Sequence, residues 1–416
     1  MIQALKRLWE DRRGNTLVIA AGALPLIIGS AGLATDTIQW ALWKRQLQRT
    51  ADSAAIAGVY AKLASQDVPT QVNNDVTKNN QTGMTLLTGP TIGYPASAGT
   101  WNNSVSVAMS IQKKLSFSSM FLANPPIISV TATAAAVAAG EYCAQAQINT
   151  NTTGIAAGGN ATVDLKCGMI TNSTSMDAAV AFGSSVVNAS PVAAVGGLDK
   201  TDNWAQGTIL LPFTIPQPDP FADIMPPSIP SPCNTKFNDQ PQDNQTWPAT
   251  APAGGSMCLN DFSAQGTVTL QPNTTYIITG DMKIGAQANV TCAGCTFVMT
   301  NTNPANTGTV DIQGGATVNL TAPDSGTYKG ILFYSDRGAD ASDINKINGN
   351  SMSNYSGAFY FPHQQVEFTG TAGVEFQCLK LVTWQLTFLG TSSIKNNCPP
   401  GWYGDKFTGR HVRLVA

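Results

Sequence analysis

The sequence predicts a mainly β protein that follows an N-terminal transmembrane helix, and three observations support this fold class. A stretch of twenty residues, Thr16 to Thr35, contains no charged side chain. Beyond residue 140 the chain is rich in Gly, Asn, Thr, Ser, Ala and Val, which is typical of many short strands joined by turns. All eight cysteines lie between Cys143 and Cys398, after the apolar stretch. We therefore expect a transmembrane helix, a stem helix, a small α+β unit and a parallel β-helix-like domain.

The apolar stretch has three interpretations: a membrane anchor, a cleaved export signal or a buried core helix. Twenty helical residues extend about 30 Å, which matches the thickness of a bilayer core, and a buried helix rarely needs this length. A signal peptide has a shorter apolar region of about 7–15 residues, although Gly32-Leu33-Ala34 is a candidate cleavage site. Pro25 does not exclude a span, because membrane helices tolerate proline. We predict a retained transmembrane helix at 16–35.

The orientation of this span follows from the cysteines more than from charge. The basic residues on its two sides give only a weak positive-inside signal; they are Lys6, Arg7, Arg12 and Arg13 before it and Lys44, Arg45 and Arg49 after it. An even number of cysteines on one side of the span favours an oxidising compartment there. We predict a single-pass membrane protein, with residues 1–15 in the cytoplasm and the bulk of the chain on the other side of the membrane.

Residues 36–65 predict a stem helix. From Asp36 to Ala57 the chain contains no Gly or Pro, and apolar side chains recur at intervals of three, four and five residues, which indicates one helical face. Trp40 and Trp43 lie just past the span, where indole rings favour the membrane interface. We expect this helix to pack on its own domain.

The N-terminal segment resembles a known family. It reads RRGNTLVIAAGALPLIIGSAGLATDTIQWALWKRQLQRTADSAAIAG, which is a basic lead with Gly, an apolar span with a central Pro, a small-residue exit that ends in Asp, and an Ala-rich helix. Over about residues 10–60 this pattern is similar to the TadG-like proteins of the Tad (Flp) pilus-assembly system. The resemblance implies a membrane-anchored component of a pilus-assembly or secretion apparatus in the bacterial inner membrane, with the bulk of the chain periplasmic or extracellular. The implied partners are the membrane and other pilus-assembly components.

The chain departs from its relatives at two points. Type IV pilin-like relatives are cleaved after a Gly like Gly14 and carry Glu five residues later, where this chain has Ile19. We therefore predict that the span is not removed. Many TadG-like proteins also carry a von Willebrand A domain with an Asp-x-Ser-x-Ser cation site, and this sequence contains no such signature. The resemblance therefore supplies no metal site.

Residues 66–140 predict a small α+β, pilin-like unit. Ser104 to Ile111 alternates apolar with small or polar side chains, as a half-buried strand does. A second candidate strand, Ile127 to Val137, follows the break at Pro125-Pro126. The resemblance implies that a helix leads from the membrane into a short antiparallel sheet here.

Residues 141–416 predict a disulfide-bonded, β-helix-like domain. A Gly-containing turn and a short strand recur as GGNATVDLKC, GAQANVTC, GGATVNL and GTAGVEFQC, and most strands follow too closely for a helical crossover. The irregular period leaves a β-sandwich or jelly roll as the alternative. Eleven prolines between Pro212 and Pro252 cannot donate to a sheet ladder. Residues 212–252 are therefore either a linker or, as the strand phrases on both sides favour, an excursion across one solenoid.

The cysteines are expected to form disulfides between neighbours along the chain. The Cys-x-x-Cys motif lies between predicted strands, which does not favour the helix N-terminus that a redox motif uses. Zinc would need two further ligands, and the chain has no second Cys-x-x-Cys and no paired His. We expect no metal and no cofactor, and the candidate pairs are Cys143–Cys167, Cys233–Cys258, Cys292–Cys295 and Cys378–Cys398.

The sequence gives no catalytic constellation. His363 and His411 are the only histidines, and a polysaccharide lyase or hydrolase needs an acid or base opposed by a second charged group. The nearest approximations read as solvated turns; they are Lys329, Asp336, Arg337, Asp340 and Asp343. We expect a non-enzymatic component. The alternatives are a membrane-tethered β-helix polysaccharide lyase or hydrolase, or an adhesin that passively binds a glycan or surface ligand.

Nucleic acid is not expected as a partner. Only 12% of residues are charged and the net charge is −2, whereas nucleic-acid binding needs clustered Lys and Arg. Residues 1–65 hold eight Lys and Arg against four Asp and Glu, whereas residues 66–416 hold fifteen against twenty-one. The basic excess thus lies beside the apolar stretch, where a membrane-proximal segment places it. The charge distribution therefore agrees with a membrane surface as the partner of this segment.

Overall fold

The computed structural model describes residues 15–79, 85–97, 101–370, 373–397 and 407–415. The chain divides into two compact units, residues 1–137 with 412–416 and residues 138–411. The first unit therefore includes the end of the chain, which the sequence predicts in the β domain. Of the predicted features, Gly14, Cys398 and the segment 1–15 other than Asn15 lie outside the described residues.

The predicted membrane and stem helices form one continuous helix, α1 (Asn15–Leu63), of 49 residues. At 1.5 Å per residue it extends about 73 Å, and Pro25 lies inside it without ending it. Among the described residues it is the one helix that is long and apolar enough to span a membrane. Large apolar side chains up to Leu42 are exposed on α1, whereas from Leu47 onward one face is buried. The first part of α1 thus exposes its apolar side chains, whereas the last part buries one face in the first unit.

The buried half of α1 packs on a second helix and an antiparallel sheet, formed by α2 (Val68–Asn79), β1 (Leu86–Gly93), β2 (Trp101–Gln112) and β3 (Ile127–Ala146). β2 pairs with β1 and with residues 127–137 of β3. The predicted alternation in β2 directs Val105 and Val107 into the core, where they meet small residues of α1. A Cβ atom at Gly58 would lie 2.8 Å from Val105 Cγ1, so glycine permits this close approach.

The second unit is a parallel β-solenoid with three faces, which we name A, B and C. Face A consists of β4 (Ile155–Ala157), β7 (Ala179–Ala181), β11 (Lys236–Asn238), β14 (Asp261–Ala264), β17 (Met282–Ile284), β20 (Val310–Ile312) and β23 (Ile344–Ile347). Face B consists of β5 (Thr162–Asp164), β8 (Val186–Asn188), β12 (Asn244–Trp247), β15 (Thr267–Leu270), β18 (Asn289–Cys292), β21 (Thr317–Thr321) and β26 (Ser393–Asn396).

Face C consists of the end of β3 with β6 (Gly168–Thr171), β9 (Val192–Ala194), β10 (Leu210–Leu211), β13 (Ser256–Leu259), β16 (Thr275–Ile278), β19 (Thr296–Met299) and β22 (Ile331–Ser335). Two long strands, β24 (Asn354–Gly370) and β25 (Gly373–Gly390), run through faces B, C and A in turn, and β27 (Phe407–Leu414) comes last. Strands on successive coils pair in parallel. This arrangement confirms the β-helix prediction, because a sandwich pairs its strands antiparallel.

The coils are stacked out of sequence order. β25 and β26 pair with β3, β4 and β5, so the last coil formed by the chain lies against the first. From that first coil, β6 to β10 continue to one end of the solenoid. β11 to β13 begin at the opposite end, and the later coils wind back toward the first. The segment between β10 and β11, residues 212–235, therefore connects the two ends.

The interior of the solenoid is filled by inward-facing apolar side chains. On faces A and B each strand alternates buried with more exposed residues, as expected for a strand with one wet side. Aromatic rings stack on successive coils, with ring centroids 5.5 Å apart from Tyr276 to Phe297 and again from Phe297 to Phe333. Face C differs, since every residue of β19 and β22 is buried. Some other part of the chain must therefore cover the outside of face C.

Candidate functional site

The proline-rich segment covers face C, and we call residues 212–235 the strap. It contains eight prolines and no described strand, because proline has no N–H to donate to a ladder. Beneath it, the outward side chains of face C form a column from coil to coil; in order these are Ile277, Val298, Tyr334, Tyr360, Val382, Gln145, Ile170 and Ala193. The strap thus covers this column and shields it from solvent, as a second layer of secondary structure would.

Buried amide groups hold the first part of the strap. The backbone N–H of Gln217 donates to Asn172 Oδ1 at 2.8 Å, and Asn172 Nδ2 donates to the backbone carbonyl of Gln217 at 2.8 Å. Gln145 Nε2 donates to the Pro218 carbonyl at 3.0 Å. All three amide side chains are buried. Because proline leaves carbonyls without backbone donors nearby, side-chain amides supply the donors that buried carbonyls require.

An arginine fixes the middle of the strap. Arg337 Nε donates to Asp219 Oδ2 at 3.2 Å, and Nη1 donates to the Ile224 carbonyl at 2.8 Å, while Nη2 donates to the Phe221 carbonyl. The guanidinium lies 5.2 Å from the ring centroid of Tyr360, whose hydroxyl donates to Asp219 Oδ2 at 2.6 Å. A planar fork with several donors suits this set of diverging acceptors. The charge of Arg337 is thus used to bind the strap.

The later part of the strap is held by tyrosines and a disulfide. Tyr334 donates to the Ile224 carbonyl at 3.0 Å, and Tyr328 donates to the Met225 carbonyl at 2.9 Å. Burial raises the pKa of Tyr334 from about 10 to about 12, so its hydroxyl remains a donor well into the alkaline range. Cys233 is bonded to Cys258 of β13. The strap therefore contacts the solenoid at intervals from one end to the other.

Two acidic residues that the sequence singled out, Asp336 and Asp340, form hydrogen bonds with nearby groups of the chain. Asp336 is buried and accepts from Thr300 Oγ1 and from the Gly338 N–H, both at 2.9 Å. Asp340 is exposed and accepts from the Ser342 N–H, which lowers the pKa of its carboxyl group. Both carboxylates accept hydrogen bonds within turns, but Asp336 is buried and not solvated as the sequence predicted. The side chain of Arg337 is directed to the strap.

One of the two histidines, His363, is bonded to the main chain, and the described disulfides account for six of the cysteines. The imidazole of His363 is bonded through Nδ1 to the Ala339 carbonyl and packs 4.9 Å from the ring of Trp384, centroid to centroid. Besides the strap disulfide, two others join Cys143 to Cys167 and Cys292 to Cys295. Cys398, the expected partner of Cys378, lies outside the described range. Across the described residues no group of three or more His, Cys, Asp or Glu side chains is arranged to hold a metal ion.

The outer sides of faces A and B are polar. A cleft of about 350 Å³ on face A is lined by residues that include Ser263, Gln265, Lys283, Gln287 and Asp311. On face B, Thr and Asn side chains occupy two rows across four successive coils, with Gln245, Val268, Val290 and Val318 between the rows. One row is Asn244, Thr267, Asn289 and Thr317, and the other is Thr246, Thr269, Thr291 and Asn319. These surfaces offer hydroxyl and amide groups at regular spacing.

A buried carboxylate in the first unit was not foreseen as an interaction site. Asp36 of α1 is 2% exposed and accepts from the Phe117 N–H at 3.1 Å and from the backbone and side chain of Ser118. These donors lie at a short 3₁₀ turn, Ser118–Met120, in the β2–β3 connection. The sequence signal was a lone acid directly after an uncharged span. Its partners, 81 and 82 residues away, carry no recognisable pattern.

Comparisons with known proteins give a match over the N-terminal helix of the chain. No curated protein and no solved structure matches the chain. One family model does match, over a range that coincides with α1 to within one residue at each end. Residues 14–62 match the Tad family, Flp pilus-assembly TadE/G-like, which confirms the TadG-like resemblance of the N-terminal segment.

Proposed function

We propose that this protein is a non-enzymatic, membrane-anchored component of a Tad (Flp)-type pilus-assembly or secretion system, with an outer β-solenoid that serves assembly or adhesion. The observation that carries the proposal is the TadE/G-like match over residues 14–62, which covers the helix able to span a membrane. Exposed apolar side chains on its first half, such as Leu26 and Ile28, suit a lipid environment. The adjoining stem and solenoid would then be presented on one side of the bilayer.

The disulfides support placing the solenoid outside the cytoplasm. The three described disulfides lie in residues 143–295, and the first unit contains no cysteine. Disulfides persist in oxidising compartments such as the bacterial periplasm. This orientation is tested with spheroplasts that express the chain: added protease should degrade the solenoid without lysis. Protection of the solenoid until lysis would contradict the proposed orientation.

The pilus assignment is tested in the bacterium that encodes the chain. We expect gene deletion to reduce Flp-type pili in electron micrographs and the full chain to restore them. A photo-crosslinking residue placed at Leu26 should capture other pilus-assembly components in the membrane fraction, whereas the same residue at Met352, on an exposed turn of the solenoid, serves as the control. Normal piliation of the deletion strain, with no capture from Leu26, would contradict the assignment.

A second candidate, passive glycan binding, is favoured by the polar cleft on face A. Amide, hydroxyl and charged side chains line this cleft and can bond sugar hydroxyls. On a glycan array, the full chain in detergent should bind a glycan that the double variant Gln265→Ala/Asp311→Ala loses. Lys346→Ala is the matched control, because Lys346 is an exposed residue of the same face that is not among the cleft residues. Turnover of any polysaccharide in the same samples would instead favour the tethered enzyme.

A further inference from the structure

The connection between β2 and β3 exposes three consecutive large apolar side chains. Met120, Phe121 and Leu122 are 75%, 73% and 51% exposed. Single exposed apolar residues are ordinary on a protein surface, but a contiguous group marks a surface that contacts an apolar partner. The group lies at and just after the 3₁₀ turn Ser118–Met120. No part of the described first unit covers these three side chains.

This connection is attached to α1 at the point where the uncharged stretch ends. Asp36, the first charged residue after the stretch, accepts the hydrogen bonds from Phe117 and Ser118. One turn earlier, the ring of Phe117 lies against Gly32, and a Cβ atom at Gly32 would overlap this ring. Glycine therefore permits the contact. The exposed apolar side chains are held beside the end of the membrane-spanning length of α1.

The surroundings of the connection have the composition of a membrane interface. Trp40 and Trp43 follow one and two turns beyond Asp36 on α1, and the ammonium group of Lys113 lies 4.8 Å from the ring centroid of Trp43. Lys114 adds a second positive charge at the start of the connection. Indole rings and basic groups favour the headgroup level of anionic membranes, and apolar side chains beside them favour the acyl region.

We infer that residues 117–122 insert into the bilayer leaflet next to α1 and give the first unit a second point of attachment to the membrane. The inference rests on the proposed function, because α1 must span the membrane for this loop to reach it. A lipid bilayer is the partner that best fits this loop, since the exposed apolar surface of α1, including Ile28 and Leu33, already requires lipid and lies next to the loop. Two attachments hold the stem at a set tilt, which one helix alone does not.

The test uses the full chain reconstituted in vesicles of phosphatidylcholine and phosphatidylglycerol, with an environment-sensitive fluorophore on a single introduced cysteine. Phe121→Cys and Met120→Cys report on the loop, and both sites are exposed, so folding is not at risk. Ile28→Cys reports on the span itself. Tyr94→Cys is the matched control: Tyr94 is an exposed apolar residue near Lys62, at the opposite end of the stem.

We expect nitroxide-labelled lipid to quench the labels at residues 120 and 121 as it quenches the label at residue 28, and to leave the label at residue 94 unchanged. If the label at residue 28 is quenched while those at 120 and 121 remain open to aqueous iodide, the loop inference is wrong and the anchor stands. Shielding of the loop labels from both quenchers would show a protein partner and would also overturn it. If the label at residue 28 is not quenched by lipid, the membrane anchor of the proposed function fails.

Discussion

At the scale of single residues, two charged side chains hold distant segments of the chain together. Asp36 accepts hydrogen bonds from a turn more than 80 residues away, and Arg337 donates to three acceptors in the strap. Asp36 is 2% exposed and Arg337 is partly buried, and both charges have hydrogen-bond partners, which is the condition under which a charge is tolerated away from water. Each of these residues holds a segment that is distant in sequence in its place in the fold.

Replacing Asp36 should loosen the β2–β3 connection. Asp36→Ala leaves the N–H groups of Phe117 and Ser118 without their charged acceptor, so the hydrogen bonds that hold the connection to α1 are lost. We expect faster chymotrypsin cleavage within 113–126 in detergent, and a smaller effect for Asp36→Asn. Asp52→Ala is the control, since Asp52 bonds only within α1 to Gln48 among the described contacts. Equal cleavage of the Asp36 and Asp52 variants would contradict the prediction.

Replacing Arg337 should release the middle of the strap. Arg337→Met removes the donors to Asp219, Phe221 and Ile224, and because the side chains of Arg337 and Asp219 are 31% and 19% exposed, we expect a loss of about 1–3 kcal/mol in the free energy of unfolding. A lower urea midpoint and earlier proteolysis within the strap are the measurements. Arg337→Lys should fall between, because an ammonium group lacks the planar fork. Lys346→Met, an exposed change on face A, should leave the midpoint unchanged.

At the scale of elements, the strap is an ordered segment without regular secondary structure. Its prolines cannot join a ladder, yet the segment covers the outward apolar column of face C, including Tyr334 and Tyr360. Phe221 packs edge-on against Tyr360, with ring centroids 5.4 Å apart. Proline also restricts the unfolded chain, which reduces the conformational entropy lost when the strap is ordered. Contacts with the solenoid therefore supply the order that hydrogen-bonded ladders supply elsewhere.

Removing the strap disulfide should destabilise the solenoid more than removing the short one. Cys233 and Cys258 are 25 residues apart and Cys292 and Cys295 only 3, so the chain-entropy relation assigns about 3.5 and about 2 kcal/mol to the two crosslinks. We expect the paired serine variant Cys233→Ser/Cys258→Ser to unfold at lower urea and to be cleaved earlier within 212–235. The reverse order of the two variants would show that the strap end is held by other contacts.

At the scale of the whole solenoid, coils distant in sequence are neighbours in space. Ile394 of β26 pairs with Val163 of β5, and Leu381 of β25 pairs with Ala144 of β3. A solenoid coil is stabilised mainly by its nearest neighbours, so these junctions join the two sequence halves into one stack. The strap supplies the covalent path between the two ends of the stack.

A cut in the strap should leave the two halves associated. A protease site inserted at Met225, which is 66% exposed, would separate residues up to 225 from the remainder. None of the three described disulfides bridges this point. We expect the nicked protein to migrate as one species on a native gel and as two fragments after denaturation. Separation of the fragments under native conditions would show that the junction of β25 with β3 is weaker than its parallel pairing indicates.

Much of the fold follows from local patterns in the chain. The uncharged length from Thr16 to Thr35 predicts the apolar helix because backbone groups in lipid must bond within one helix. The alternation in Ser104–Ile111 and the repeated Gly-turn-strand phrases predict strands because side chains alternate between the two sides of a sheet. Each of these properties depends on residues a few positions apart. The TadE/G-like match at residues 14–62 confirms the family resemblance from the same local information.

The sequence by itself determined an apolar helix, short parallel strands and cysteines placed as neighbours along the chain. Only the tertiary structure decided that the last coil pairs with the first, that the proline-rich segment covers face C, and that Asp36 meets Ser118. The fully buried strands β19 and β22 signalled a covered face, but the residues that cover it lie about 75–110 positions away. Periodicity reports which side of an element is buried, whereas the partner that buries it is selected by long-range packing, which no local pattern encodes.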